Sequence, residues 1–299
     1  MNAGWVAGAV RARALREHCL GQAGARRLAA SGSLDNALRA LSGTRYGEHA
    51  HPGLDLDAAQ HAIAGSVLWD LRVLAGWLPG DGVRMLRTLA GWFELGNTEE
   101  MLTARPGAEF DLGALATAWP RLRAAGRTGL RPALAASPWQ DPGGGDARAI
   151  RLGMRVRLAV RVAALGEPAR TWAAGAAAIL AAGELLAGRP VPVGLRSLTG
   201  PPAIRAGSLP ELAAALSSRD QWVLVGIAAP GDLWRAEPRW RARVEEDGAW
   251  LMRISSLDSR VVLGAVAVLA RDALRVGAAL EVAARGGSPG LLEAFDELA

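Results

Sequence analysis

The sequence contains no lysine, and all 34 of its basic residues are arginine. This absence excludes a phosphate-binding loop of the GK[ST] type, whose lysine contacts the nucleotide phosphates. It also excludes protein-kinase chemistry, which needs a strand lysine, and pyridoxal phosphate chemistry, which needs a Schiff-base lysine. Three large enzyme classes are therefore ruled out by composition alone.

Cysteine is nearly absent as well, since Cys19 is the only one. One thiol cannot form an intramolecular disulfide or a zinc site built on several thiolates. The thiol lies within a predicted helix, so we expect it to be buried and structural rather than a nucleophile. This cysteine usage is compatible with a reducing cytoplasm.

Long hydrophobic runs are also missing. A helix that spans a bilayer needs about 20 apolar residues, and the uncharged stretch Thr171–Gly183 ends at Glu184. At the N-terminus, arginines follow the short apolar run Gly4–Val10 instead of preceding it, which is the wrong order for a signal peptide. We therefore expect a soluble chain that meets a membrane only through partners.

The residues that are abundant favour helices. The chain of 299 residues is 51% hydrophobic and 21% charged, which is typical of a globular protein. Alanine, leucine and arginine dominate, and all three are good helix formers. The formal net charge of +5 is consistent with an acidic partner.

A short segment occurs three times. Its copies are Ser33–Gly47, Gly129–Gly143 and Ser208–Trp222. Each copy begins with a small residue followed by leucine, continues through a helical stretch and ends at or just after an aromatic residue, Tyr46, Trp139 or Trp222. Such a repeat indicates one supersecondary unit used several times. Each copy precedes a long apolar run, and these runs are Val83–Thr103, Thr171–Ala187 and Val261–Ala284.

The repeat predicts an all-α fold of three helical bundles, residues 1–105, 106–200 and 201–299. The first helix is predicted over Gly4–Ala30. Asp55 or Asp57 is predicted to cap a helix that continues through Trp77. Its apolar residues form one stripe at helical spacing, namely Ile63, Val67, Leu71 and Leu74. The segment Gln221–Ile227 has strand propensity but no predicted partner strand, so it is interpreted as a helix or a buried connector.

No group of residues has the pattern of a catalytic or metal site. The densest set of potential ligands is Glu48, His49, His51, Asp55, Asp57 and His61. Its spacing matches no metal motif, so it is interpreted as a solvated loop followed by a helix start. We also find no serine-hydrolase elbow and no phosphate-binding glycine pattern. The sequence predicts no catalytic residue, no cofactor and no metal.

Two other sets of polar residues are of interest. Glu94 and Asn97 occur in an otherwise apolar helix, beside Trp92 and Phe93. Buried polar groups need hydrogen-bond partners, so these two are predicted to form a structural polar link to the backbone of the next unit or to an arginine such as Arg72.

Arg148, Arg151 and Arg155 share one helical face. They are a candidate docking face for acidic or carbonyl groups of a partner protein. Binding of nucleic acid is an alternative, although no nucleic-acid motif is present. An ordinary solvated helix face is a third possibility.

Two segments together resemble a known family. They are Ser33–Glu48, which ends in TRYGE, and the helix WFELGNTEEML at Trp92–Leu102. With the three-unit organisation, they resemble the family of C/d subunits of V-type and A-type rotary ATPases. Asp272 and Arg275 stand where that family often repeats an acidic-x-x-Asn pair, and Trp5 stands in place of the usual tyrosine.

The resemblance implies a funnel of three pseudo-symmetric bundles without an active site. Such a protein lies on the cytoplasmic side of the membrane as a peripheral component. It links the central-stalk subunits to the proteolipid ring and couples rotation to proton or sodium transport. Two alternatives are an arginine-rich scaffold for nucleic acid or acidic protein, and an all-α enzyme. The Asp-rich motifs of helical isoprenoid enzymes are absent.

Overall fold

The computed structural model describes residues 3–103, 107–227 and 229–298. This part of the chain is 71% helical and contains no strand, so the prediction of an all-α fold is confirmed. The segment that begins at Gln221 starts with the 3₁₀ helix Gln221–Leu224, which agrees with its interpretation as a non-strand element. Within the same residues, no helix is both long enough and apolar enough to cross a membrane.

The contacts divide the chain into two compact units. Unit 1 consists of Met1–Val83 and Glu245–Ala299, and unit 2 consists of Arg84–Val244. The three bundles of residues 1–105, 106–200 and 201–299 are a division by sequence repeat and stay a prediction. In chain order, the helices of the first half are α1 (Ala3–Glu17), α2 (Gly21–Ala29), α3 (Leu34–Leu41), α4 (Leu56–Ala75), α5 (Gly80–Leu89), α6 (Gly91–Met101) and α7 (Arg121–Ala135). Those of the second half are α8 (Ala147–Ala163), α9 (Ala169–Leu186), α10 (Arg196–Thr199), α11 (Pro201–Ile204), α12 (Leu209–Ala215), α13 (Ala236–Arg253), α14 (Ser259–Ala284) and α15 (Pro289–Leu298).

Unit 1 is built around α14, a helix of 26 residues. The first four helices all pack against it, although they lie at the other end of the sequence. Helix α4 turns its predicted apolar stripe inward, because Ile63, Val67, Leu71 and Leu74 are all buried. Asp55 caps this helix by accepting a hydrogen bond of 2.8 Å from the Ala58 amide. The sequence alone does not show whether Asp55 or Asp57 caps this helix.

The prediction of one continuous helix over Gly4–Ala30 is wrong. Helix α1 ends at Glu17 and α2 begins at Gly21, whose φ of 64° suits glycine. The amides of Leu20 and Gly21 donate to the carboxylate of Asp272. A residue from the far end of the sequence therefore accepts hydrogen bonds from the free amides at the start of α2 and stabilises the break between the two helices. Because this contact is distant in the sequence, the local periodicity does not predict it.

In unit 2, the neighbouring helices pack around two central helices, α6 and α9. Helix α6 packs against α7 and α8, and α9 packs against α8, α10, α12 and the 3₁₀ helix Gln221–Leu224. Helix α7 is kinked at Gly126, where φ is 61°. The face of α9 is rich in alanine and lies in a large hydrophobic cluster with Leu198, Leu212 and Val223. Small side chains on α9 allow the neighbouring short helices to approach its backbone closely.

Candidate functional site: three aromatic anchors

Each of the three sequence copies ends at an aromatic residue that packs against a long helix. We call each such arrangement an aromatic anchor. It consists of the aromatic ring, an arginine over the face of that ring, and the long-helix residue nearest to its polar atom. The first anchor lies in unit 1, and the second and third lie in unit 2.

The first anchor joins Tyr46 to Asp272 on α14. Tyr46 is fully buried, and its hydroxyl donates a hydrogen bond of 2.8 Å to Asp272 Oδ2. The same carboxylate accepts the Leu20 amide at 3.0 Å and the Gly21 amide at 2.8 Å. Hydrogen bonds to a charged acceptor are roughly twice as strong as neutral ones. Asp272 therefore ties three segments of unit 1 together: the turn before α2, the loop after α3, and α14.

The surroundings of this carboxylate keep the neighbouring acids protonated. Burial raises the pKa of Tyr46 far above its ordinary value, and the negative charge of Asp272 raises it further. Cys19 is half-buried in the turn between α1 and α2, and burial, followed by the charge of Asp272, raises the pKa of its thiol to about 11. The Arg45 guanidinium lies 4.9 Å from the centroid of the Tyr46 ring and forms an ion pair with Asp70. Cys19 is therefore a protonated thiol at neutral pH.

The second anchor has the same design around Glu94 on α6. Glu94 is fully buried, and its carboxylate accepts the Trp139 indole N–H at 2.6 Å. It also accepts the backbone amides of Thr117 at 2.7 Å and Ala118 at 2.9 Å. Arg161 lies over the Trp139 ring, 5.1 Å from its centroid, a distance at which a cation is attracted to the ring. Like the aspartate of the first anchor, Glu94 binds two backbone amides before a helix and one aromatic donor.

Asn97 lies one turn after Glu94 and makes a second link. It is buried, with 1% of its surface exposed. Its Nδ2 donates to the Phe110 carbonyl at 2.9 Å, and its Oδ1 accepts the Phe110 amide at 2.7 Å. Of the two partner types predicted for Glu94 and Asn97, backbone or arginine, the structure has the backbone, together with the indole of Trp139. The sequence predicts a structural role for Glu94 and Asn97 because they are polar residues in an otherwise apolar helix.

The third anchor lacks a carboxylate. Trp222 packs against α9 at Gly175, and the Arg243 guanidinium lies 5.9 Å from the centroid of the Trp222 ring. The Trp222 Nε1 atom is buried and has no hydrogen-bond partner among the described residues. A buried donor without an acceptor costs about 1–3 kcal/mol. The ring and the arginine are therefore retained in this copy, but the hydrogen bond is not.

A glycine of the packing helix lies beside the indole ring in both the second and the third anchor. A Cβ atom at Gly91 would lie 3.3 Å from Trp139 Cη2, and one at Gly175 would lie 3.3 Å from Trp222 Cη2. Each glycine therefore lies beside an indole ring, and Gly175 is also close to Trp240, whose Cδ1 atom would lie 2.8 Å from such a Cβ. Glu94 follows Gly91 by three residues, and the residue three after Gly175 is Ala178, which is fully buried. By this offset, the sequence position in α9 that corresponds to Glu94 is occupied by an alanine.

The candidate docking face on α8 is partly neutralised within the chain. Arg148 forms an ion pair with Glu184, and Arg155 donates to Glu99 at 2.7 Å. Arg151, between them, is half-buried and has no ion-pair partner in the part of the chain that the structure describes. The face therefore presents less free positive charge than three arginines in sequence suggest.

The described residues contain no cluster of side chains with the arrangement of a metal site. No group of three or more His, Cys, Asp or Glu side chains converges as metal ligands do within residues 3–103, 107–227 and 229–298. Within the predicted ligand-rich stretch, Asp55 serves as the cap of α4, and His49 and His51 are exposed. The acceptor atoms of Asp272 and Glu94 are occupied by structural donors. This arrangement can hold helices in register, and its carboxylates are buried away from solvent.

Sequence reasoning missed the role of Asp272. In the sequence, Asp272 is noticeable only because it stands where the resembled family often has the acidic residue of an acidic-x-x-Asn pair. Its hydrogen bond to Tyr46 spans 226 positions of the chain. A signal is nevertheless present, since Asp272 and Glu94 are both acidic residues within long apolar runs.

Comparison with known proteins adds no family. No protein-family model matches the sequence, and no curated protein matches it significantly.

Proposed function

We propose that this chain is a non-catalytic rotor component of a V-type or A-type rotary ATPase. In this role it links the central stalk to the proteolipid ring and transmits rotation that is coupled to proton or sodium transport. It would lie at the cytoplasmic surface of the membrane, held there by its partners. The family resemblance of the sequence supplies the hypothesis, and the three aromatic anchors supply its physical support.

The observation that carries the proposal is the recurrence of one anchor at each sequence copy. A funnel of three pseudo-symmetric bundles requires the same supersecondary unit to form three times. In this chain, Tyr46, Trp139 and Trp222 each pack against a long helix beneath an arginine.

The helices on which the three copies pack also follow an order along the chain. Tyr46 of the first copy bonds to α14, the last long helix, and Trp139 of the second copy bonds to α6, which follows the first copy. Trp222 of the third copy packs on α9, which follows the second. The second and third copies thus pack on a helix that precedes them in the chain, and the first copy packs on the last long helix. A torque-transmitting adaptor benefits from such links because they connect segments that are distant in the sequence.

The proposal is tested by assembly. The tagged chain, expressed in its host, should co-purify with stalk and proteolipid-ring proteins in stoichiometric amounts. Failure to associate with any such protein would discard the proposal. Binding to nucleic acid with a strong inverse dependence on salt would favour the arginine-rich scaffold instead.

The docking face has its own test within the same experiment. Arg151→Glu reverses the one arginine of the face without a partner in the described chain, so it should weaken assembly and leave helical content unchanged. The matched control is Arg123→Glu, which reverses an exposed arginine of the same unit that pairs with Glu109 at 3.3 Å. Equal assembly of the two variants would remove residues 148, 151 and 155 as a docking surface, whereas the family proposal would stand.

A further inference from the structure

We infer that the third aromatic anchor is the releasable one, so that the segment Ser208–Trp222 detaches locally from α9 more readily than the two other copies detach from their long helices. The first two anchors are closed by hydrogen bonds to Asp272 and Glu94, and the buried Trp222 N–H of the third has no acceptor among the described residues. The inference rests on contacts within each unit and does not depend on the proposed function.

The energetic difference between the anchors comes from one group. In the second anchor, release of Trp139 would break a 2.6 Å bond between an indole N–H and a carboxylate. In the third, release of Trp222 would break no such bond and would return a buried, unpaired N–H to water. The hydrogen bond to Glu94 therefore opposes the release of Trp139, whereas hydration of the indole N–H favours the release of Trp222.

The remaining contacts of the third copy are mainly apolar, apart from an exposed ion pair between Arg219 and Glu167 at 3.5 Å. Leu209, Leu212, Leu216 and Val223 are buried in the cluster around α9. Apolar packing is non-directional, so it can be kept while a segment shifts, whereas a carboxylate that binds two amides and an indole fixes one geometry. The third copy is therefore held mainly by apolar packing, since an exposed ion pair contributes little. The first two copies are held by apolar packing together with oriented hydrogen bonds to a carboxylate.

Hydrogen exchange of the full chain tests this ordering directly. Exchange followed by mass spectrometry under native conditions reports the local opening of each segment. We expect amides in Ser208–Trp222 to exchange at least about tenfold faster than those in Ser33–Gly47 and Gly129–Gly143, the factor that one hydrogen bond to a charged group is worth. Equal protection in the three segments would overturn the inference.

A matched pair of substitutions isolates the hydrogen bond. Trp139→Phe and Trp222→Phe remove the same atoms, so the loss of ring area is similar, but only Trp139 donates to a carboxylate. We expect Trp139→Phe to speed exchange in Gly129–Gly143 by about tenfold. Trp222→Phe should leave exchange in Ser208–Trp222 within about twofold or slow it, since it deletes an unpaired donor.

The opposite result is equally informative. If Trp222→Phe speeds local exchange as much as Trp139→Phe does, the Trp222 N–H has an acceptor in solution and the third anchor is closed. A third variant, Glu94→Ala, leaves the Trp139 N–H without its carboxylate acceptor, as the Trp222 N–H is in the third anchor. It should raise exchange in Gly129–Gly143 at least to the level of Ser208–Trp222 in the unmodified chain. Unchanged exchange in Glu94→Ala would show that carboxylates do not set the order of release.

Discussion

Tyr46 and Asp272 are joined by a hydrogen bond of 2.8 Å across 226 positions of the chain. Tyr46 is the only tyrosine, and it follows a short helix near the N-terminus. Asp272 lies in the C-terminal half of α14 and also binds the amides that precede α2. One carboxylate therefore closes unit 1 by linking its N-terminal and C-terminal parts.

This relationship predicts how the tyrosine titrates. The pKa of Tyr46 is raised by burial first and by the charge of Asp272 second. The phenol should remain protonated in the folded chain above pH of about 10, where an exposed tyrosine ionises. Because the unfolded state then loses a proton that the folded state keeps, this contribution to stability is complete below pH of about 10 and falls as the pH rises further.

The phenolate absorbance of the single tyrosine measures this titration. It should appear together with loss of helical circular dichroism, and Tyr46→Phe should remove the absorbance change and weaken the alkaline loss of stability. A phenolate signal with a midpoint near 10 in a fully helical protein would contradict the buried Tyr46–Asp272 pair.

Substitution of Glu94 by glutamine should destabilise unit 2. A glutamine side chain has one carbonyl oxygen to receive the three donors of the second anchor, and its NH₂ group faces one of them. We expect Glu94→Gln to lower the free energy of unfolding by roughly 3 kcal/mol. The matched control is Glu99→Gln on the same helix, which removes a partly exposed pair with Arg155 and should cost about 0–1 kcal/mol. Urea unfolding of both variants measures the difference, and equal midpoints would show that Glu94 is not held as described.

The helices were largely predictable from the sequence, but the anchors were not. The apolar stripe from Ile63 to Leu74 and the cap at Asp55 are local signals, and the structure has both. The break at Gly21 and the bond between Tyr46 and Asp272 depend on a contact between the two ends of the chain. Helical periodicity reports which face is buried, and it does not report which helix covers that face.

The hydrogen bonds of Glu94 and Asn97 also show that the sequence predicts burial better than it predicts contact partners. The position of Glu94 and Asn97 in an apolar helix predicts their burial, and both are buried together with Phe93 and Leu95, whereas Trp92 is exposed. Their partners could not be chosen from sequence, because the backbone of Thr117 and Phe110 carries no side-chain signal. The charge of the α8 face was overestimated for a similar reason, since its acidic partners lie on α6 and α9.

Substitution of Asn97 by alanine should also destabilise the chain. It removes two hydrogen bonds and leaves the amide and carbonyl of Phe110 without their partner. We expect a loss of about 2 kcal/mol and a melting temperature lower by about 5 °C. Asn36→Ala is the matched control, since the Asn36 amide is exposed and bonds to Ser31 and Arg39 at the surface. Differential scanning calorimetry distinguishes the two, and an unchanged transition in Asn97→Ala would refute the structural link.

The last prediction concerns Cys19, whose reaction can be followed without other thiols. Burial and the charge of Asp272 raise its pKa to about 11. Only the thiolate reacts with iodoacetamide, so at pH of about 8 the folded chain should be alkylated more than about a hundredfold more slowly than the same chain in denaturant. The rate should climb toward a midpoint near 11, and Arg16→Gln should move that midpoint upward, because the positive charge of Arg16 favours the thiolate. Mass spectrometry of the alkylated chain gives both rates. A folded chain that reacts as fast as the denatured one would show that the turn before α2 is open in solution, and that Asp272 does not hold it closed.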